Sequence, residues 1–221
     1  TLSLHDALPI CNGHDIVDYG SSGEGVTIDF IAGKIAHGDA EGDTLLNIEE
    51  YRGSAFADRL VLEGHIPATL RGNAGDDELA GSGFDDVLDG GPDNDEIQGR
   101  DGADFIDGSG GFDIASFRYA VTLDFLNGIF TGEAVGDVYE SIEGFKGSDY
   151  DDVFVTAPDR LGWYIGGDGE DLMVGNWGND YFRGGRGIDT FIGGGLVLNG
   201  HLFPGRSQNA GALDRLAAQL V

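Results

Sequence analysis

The sequence predicts an all-β solenoid of nonapeptide repeats, in two tandem arrays joined by β-rich between-array segments. Three observations predict it. Aspartate recurs every nine residues in two runs: Asp77, Asp86, Asp95, Asp104 and Asp113, then Asp171, Asp180 and Asp189. A large apolar residue follows two positions behind nearly every one, at Leu79, Leu88, Ile97, Ile106, Met173, Phe182 and Phe191. Glycine-rich hexapeptides separate these pairs, so the repeat reads G-G-x-G-x-D-x-U-x with U apolar. So short a unit cannot bury a face alone and has to stack on its neighbours. It makes half a coil, with carboxylates in rows along the two edges.

Taken in order, the elements begin with residues 1–10, Thr-Leu-Ser-Leu-His-Asp-Ala-Leu-Pro-Ile. These match one reading frame of a short-read sequencing adapter, and Cys11 fits the junction codon. Residues 1–11 are therefore expected not to be natural sequence, and the natural chain is expected to continue upstream. Residues 12–52 read as the end of an earlier array, closed by Asp15, followed by a between-array segment with alternating stretches such as Val26-Thr27-Ile28-Asp29-Phe30. Residues 53–116 form the first array. It opens on a weak turn at Asp58, then a turn with Ala68 in place of the aspartate. Residues 117–146 repeat the between-array pattern: Val121-Thr122-Leu123-Asp124-Phe125, Gly136-Asp137 and Ile142-Glu143 parallel Val26 to Phe30, Gly42-Asp43 and Ile48-Glu49.

Residues 147–195 form the second array. It too opens on a weak turn, at Asp152, with Gly162 at the next aspartate position. Asp58 to Asp77 and Asp152 to Asp171 are both spaced by one residue more than two repeats, which reads as a bulge at the same place in both arrays. The tail, 196–221, has Ala212, Leu213, Leu216, Ala217 and Leu220 at helical spacing, a possible short helix.

Composition narrows the chemistry. With 40 acidic residues against 12 Lys plus Arg, the formal charge is −28. A basic nucleic-acid surface is excluded, and a compact fold needs cations to offset its self-repulsion. No apolar run is long enough for a membrane span. One cysteine, Cys11, allows no internal disulfide and no cysteine cluster for zinc. There is no H-E-x-x-H, G-x-S-x-G, P-loop or EF-hand loop. His14, His37, His65 and His201 are scattered, as solvated loop residues would be. Trp163, Tyr164 and Trp177 suit core or cap packing better than sugar stacking.

The recurring acids instead suit calcium, a hard cation that takes 6–8 oxygens. A hexapeptide loop ending in Asp offers backbone carbonyls and one carboxylate. With two strands per coil, same-edge loops lie two repeats apart. The expected pairs are Asp77 with Asp95, Asp86 with Asp104, Asp95 with Asp113, and Asp171 with Asp189, while Asp180 needs a partner from elsewhere. Candidate ligands are these eight aspartates with Asp58 and Asp152. The loop glycines join them: Gly72, Gly75, Gly81, Gly90, Gly99, Gly102, Gly108 and Gly111, then Gly166, Gly169, Gly178, Gly184 and Gly187. Without cations the stacked carboxylates repel, so binding should drive folding.

Gly166-Gly167-Asp168-Gly169-Glu170-Asp171-Leu172-Met173-Val174 and Gly184-Gly185-Arg186-Gly187-Ile188-Asp189-Thr190-Phe191-Ile192 carry the full motif. They resemble the repeats-in-toxin, hemolysin-type calcium-binding family, and the resemblance runs over about residues 12–195. It implies a parallel β-roll, several calcium ions and bacterial type I export of a parent protein that folds outside the cell. The expected role is non-enzymatic: a calcium-driven structural module of an adhesin- or toxin-like secreted protein. The alternative is the C-terminal calcium-binding and export region of a secreted metalloprotease, lipase or polysaccharide-modifying enzyme. Departures from the family pattern are Phe84 and Asp93 in place of a loop glycine, which should weaken those loops, and the small Ala115 at an inward site. The tail also lacks the acidic, hydroxyl-rich ending of the family's export signal.

Overall fold

The structure, a computed structural model, describes residues 13–64, 66–158, 162–175 and 180–193, together with the backbone of 195–198 and 201–204. The first strands are β1 (Ile16–Asp18), β2 (Thr27–Asp29), β3 (Lys34–Ala36), β4 (Glu50–Arg52), β5 (Arg59–Val61), β6 (Thr69–Arg71) and β7 (Glu78–Ala80). Next come β8 (Val87–Pro92), β9 (Glu96–Gln98), β10 (Phe105–Gly110), β11 (Ile114–Ser116), β12 (Thr122–Asp124), β13 (Ile129–Thr131) and β14 (Val138–Glu140). The last are β15 (Gly144–Lys146), β16 (Val153–Val155), β17 (Trp163–Asp168), β18 (Leu172–Val174), β19 (Asp180–Arg186), β20 (Thr190–Ile192), β21 (Gly195–Leu198) and β22 (His201–Pro204).

Most strands are three residues long because the repeat leaves no more between two loops. They alternate between two walls. One wall is a single sheet in the order β22-β21-β19-β17-β15-β11-β9-β7-β5-β2-β3. The other is two sheets, β1-β4-β6-β8-β10-β14 and then β13-β12-β16-β18-β20. Pairing between coils is parallel, as in Thr69↔Val87, Val87↔Phe105 and Leu172↔Thr190. The antiparallel pairs are β2–β3 and β12–β13, one in each between-array segment, and β21–β22. This is the predicted all-β, parallel β-roll. No helix among the described residues is long and apolar enough to cross a membrane.

The register locates the extra residue of each array. Glu50 pairs with Thr69, Arg59 with Glu78, Gly144 with Trp163 and Val153 with Leu172, each one residue beyond the repeat spacing. All four strand pairs keep an unbroken parallel register, which puts the extra residue between β5 and β6 in the first array and between β16 and β17 in the second. The expected strand bulge is a longer loop, because a loop absorbs an inserted residue without breaking a ladder. At the start of the tail the β21–β22 hairpin extends the long sheet. The proposed helix at 212–220 falls outside the described residues, as do the adapter-like residues 1–11.

The core is built around a file of inward-facing strand side chains, to which the connecting segments add residues such as Val26, Ile48, Leu62, Val121 and Ile142. In the first array the file is aliphatic: Leu60, Leu70, Leu79, Leu88, Ile97 and Ile106 are all essentially inaccessible. Ala115 follows, and its register partner on β15 is Phe145. The small residue is where the file changes from aliphatic to aromatic. Phe145 contacts Phe125, Tyr139 and Tyr164 at ring-centroid distances of 5.1, 5.3 and 5.8 Å. Tyr164 leads on to Phe182 at 5.6 Å and Phe182 to Phe191 at 6.2 Å. Trp163, one residue from the core, faces outward, stacked on Tyr181 at 4.3 Å and edge-on to Phe112 at 5.0 Å. Trp177 and His65 fall outside the described residues.

Each between-array segment inserts a hairpin and a 3-10 turn, Gly38–Ala40 in the first copy and Gly132–Ala134 in the second. In the second copy the buried Glu133 accepts from the Arg118 guanidinium, at 2.7 Å from Nη2, and from its backbone N–H, also at 2.7 Å. The chain then rejoins the roll, β14 beside β10 and β15 beside β11.

Candidate calcium sites

Parallel stacking turns each column of aspartates into a ladder. The Oδ1 of one aspartate accepts the backbone N–H of the aspartate one coil before it. On one edge Asp58 N–H donates to Asp77, Asp77 to Asp95 and Asp95 to Asp113, at 2.7, 2.8 and 2.8 Å. On the other edge Ala68 N–H donates to Asp86 at 2.7 Å and Asp86 to Asp104 at 2.8 Å. In the second array Asp152 N–H donates to Asp171 at 2.9 Å and Asp171 to Asp189 at 3.2 Å. The structure therefore brings together the pairs expected from the spacing. Asp180 has Thr156 beside it, whose Oγ1 donates to Oδ2 at 3.1 Å. Gly178 falls outside the described residues.

The first array ends on two acids that the nonapeptide pattern does not contain. Asp104 N–H donates to Asp137 at 2.9 Å, and Asp113 N–H to Glu143 at 3.0 Å. Glu49 does the same for Asp15, at 2.8 Å. The repeated Gly-Asp and Ile-Glu pairs were the available signal, but these contacts span some thirty residues and only the fold reveals them. A second, outer row was also missed. Asp76, Asp85 and Asp151 accept the N–H of Asn94, Ala103 and Glu170 on the next coil, at 3.0, 2.9 and 2.8 Å.

The second oxygens carry the chemistry. Oδ2 of Asp77, Asp95, Asp104, Asp113 and Asp171 is buried and meets no hydrogen-bond donor, and these residues are at most 3% exposed. An ionised carboxylate oxygen in that position costs several kcal/mol unless a proton or cation reaches it. Main-chain carbonyls converge on the same places. A Cβ on Gly72 would collide with both Asp77 Oδ2 and the Gly90 carbonyl oxygen. A Cβ on Gly166 would meet Asp171 Oδ2 and the Gly184 carbonyl in the same way. A bare carboxylate oxygen and a carbonyl oxygen from the next coil thus share the space that only glycine leaves free.

Burial pushes these carboxyls far above the usual carboxylate range: Asp77 and Asp104 to about 8, Asp95 to about 7, and Asp113 and Asp171 to about 6. Desolvation is the main cause, and neighbouring carboxylates such as Asp58 and Asp95 around Asp77 add to it. Asp137 is raised to about 6 for the same leading reason.

Among the described residues no three His, Cys, Asp or Glu side chains cluster around one point. The sites instead offer a carboxylate and, at Asp77, Asp113 and Asp171, a backbone carbonyl, an oxygen donor set that suits calcium rather than a softer metal. The residues fit the ion: the bare Oδ2 atoms would hold it, joined by the Gly90 carbonyl at Asp77, the Gly184 carbonyl at Asp171 and the Ser141 carbonyl at Asp113, and it would supply the positive charge that they lack.

Asp58, Asp86 and Asp152 differ. Oδ2 of each accepts the N–H of a serine in its own loop, Ser54, Ser82 or Ser148, at 2.5, 2.5 and 2.6 Å. Desolvation raises their pKa as well, but these hydrogen bonds oppose it.

The RTX calcium-binding nonapeptide repeat family model matches in four copies, over residues 69–88, 80–115 and 163–194. No curated protein matches the chain. The matched residues include the loops that carry the bare carboxylate oxygens, and over them the chain is built of RTX calcium-binding nonapeptide repeats stacked as a β-roll.

Proposed function

We propose that this chain is a calcium-driven structural module of a secreted bacterial protein, exported by a type I system and folded outside the cell, within an adhesin- or toxin-like parent. One observation carries the calcium reading: among the described residues, five buried Asp Oδ2 atoms without a donor lie in the stacked loops. Export before folding follows from it, because calcium is scarce in the cytosol and plentiful outside. The chain's own residues act by holding oxygens in place. The Oδ1 hydrogen bonds fix each carboxylate, and the loop glycines let carbonyls approach it. The segment works as a scaffold, with no catalytic residues assigned.

Equilibrium dialysis of the full chain tests the reading. Several calcium ions per chain should bind at roughly micromolar to millimolar calcium, the range of sensor and extracellular sites. Magnesium at the same concentration should not displace them, because it requires near-ideal octahedral geometry and dehydrates reluctantly. No calcium uptake at about 10 mM, beyond the weakest extracellular range, would sink the proposal.

A further inference from the structure

The loops fall into two conformational classes, and their residues show which loops take the ion. In the open class the second and fourth loop positions have positive φ. Examples are Asn73 at 76° with Gly75 at 119°, Arg100 at 76° with Gly102 at 140°, and Gly167 at 119° with Gly169 at 123°. Asp77, Asp104 and Asp171 in these loops keep a bare Oδ2. In the loops 53–58, 81–86 and 147–152 the fourth position is Phe56, Phe84 or Tyr150, and neither it nor the serine at position two has positive φ. A bulky L residue avoids the left-handed region, which glycine enters freely and Asp or Asn with little cost. An aromatic residue at position four therefore holds the loop in its other form.

That form is closed by its serine. The N–H of Phe56, Phe84 and Tyr150 donates to the Oγ of Ser54, Ser82 and Ser148, at 3.1, 3.3 and 3.1 Å. The same Oγ atoms donate to the loop's aspartate, at 2.9, 3.3 and 3.1 Å. With the serine N–H on Oδ2, every described carboxylate oxygen of Asp58, Asp86 and Asp152 has a donor. Two internal controls separate the causes. Loop 108–113 also has a serine at position two, but Gly111 stands at position four with φ 154°, Ser109 has φ 64°, and Asp113 Oδ2 stays bare. Loop 90–95 lacks the fourth-position glycine, yet Asp93 adopts φ 84° and Asp95 Oδ2 is bare. Position four thus decides, and serine completes the closed form.

We infer that the G-S-x-(Phe/Tyr)-x-D loops 53–58, 81–86 and 147–152 bind no calcium, their serine N–H and Oγ taking the place of the ion. The inference rests on the calcium reading above and assigns its sites within the chain. The closed loops hold the first aspartate of both first-array ladders and of the Asp152–Asp171–Asp189 ladder. Each of these stacks thus begins on a coil that is satisfied without metal.

Calcium per chain, measured by equilibrium dialysis on the full-length wild type and three variants, tests it. Opening one loop with the double substitution Ser82→Gly and Phe84→Gly should add about one ion. Asp86→Asn should leave the number unchanged, whereas Asp95→Asn should lose about one. The inference is overturned if the double variant binds no additional ion, or if Asp86→Asn loses one as Asp95→Asn does. If the double variant does not fold, the contrast between Asp86→Asn and Asp95→Asn decides alone. A wild type that takes up no calcium would overturn the functional reading itself.

Discussion

Freed of calcium, the chain should gain β structure as the pH falls from about 8.5 to about 5, the reverse of ordinary acid denaturation. In the metal-free fold Asp77 and Asp104 titrate near 8, Asp95 near 7, and Asp113, Asp137 and Asp171 near 6. In the unfolded chain each titrates at about 3.9. Between these limits the folded state binds more protons than the unfolded one, so stability rises as pH falls. The stabilising effect is fully present below the unfolded pKa and is lost as pH rises through about 6 to 8. Each additional proton held by the fold contributes about 1.4 kcal/mol per pH unit, and six such groups act together.

The window closes at lower pH. Glu50 is held at about 2 by hydrogen bonds from Arg52 and His14, and its contribution is lost as pH falls through that value. Maximum β content without metal is therefore expected at about pH 4–5. Far-UV circular dichroism on calcium-stripped protein reads this directly, and a loss of β signal between pH 8.5 and 5 would contradict it. With calcium present the sign reverses for affinity, since protons compete for the same Oδ2 atoms.

Phe145→Ala should cost roughly 3–5 kcal/mol in calcium-saturated protein, the range for removing a fully buried aromatic side chain. Phe145 has no accessible surface, sits where Ala115 leaves room, and touches three rings from the between-array segment and β17. A core only two sheets thick has little to fill the cavity. Trp163→Ala removes a ring that is 46% exposed and should cost far less. Denaturant titration in excess calcium compares the two. A Phe145→Ala cost below that of Trp163→Ala would contradict the placement of the core.

Much of this was legible because the repeat period sets both strand position and loop pairing. Leu79, Leu88, Ile97, Ile106, Met173 and Phe182 lie inward where the spacing puts them, and the same-edge aspartates pair as expected. Three features were not legible. Which carboxylate oxygen lacks a donor depends on loop dihedral angles, and a pattern of residue types does not display them. Phe84 and Asp93 look like equivalent departures from glycine in the sequence, yet Asp tolerates positive φ and Phe does not. Asp137 and Glu143 belong to the ladders only because the between-array segment folds back onto β10 and β11. The extra residue before each regular array looked like a bulge, since spacing alone does not say whether a strand or a loop absorbs it.

The central claim is that calcium supplies the charge without which the stacked loops do not hold at neutral pH. A calcium titration of the full chain at pH 7.5, followed by far-UV circular dichroism, tests it most directly. The account predicts coil in chelator and a cooperative rise to β structure at roughly millimolar calcium, the range of weak extracellular sites, with no such rise in magnesium. Equal β content in chelator and in calcium would contradict it.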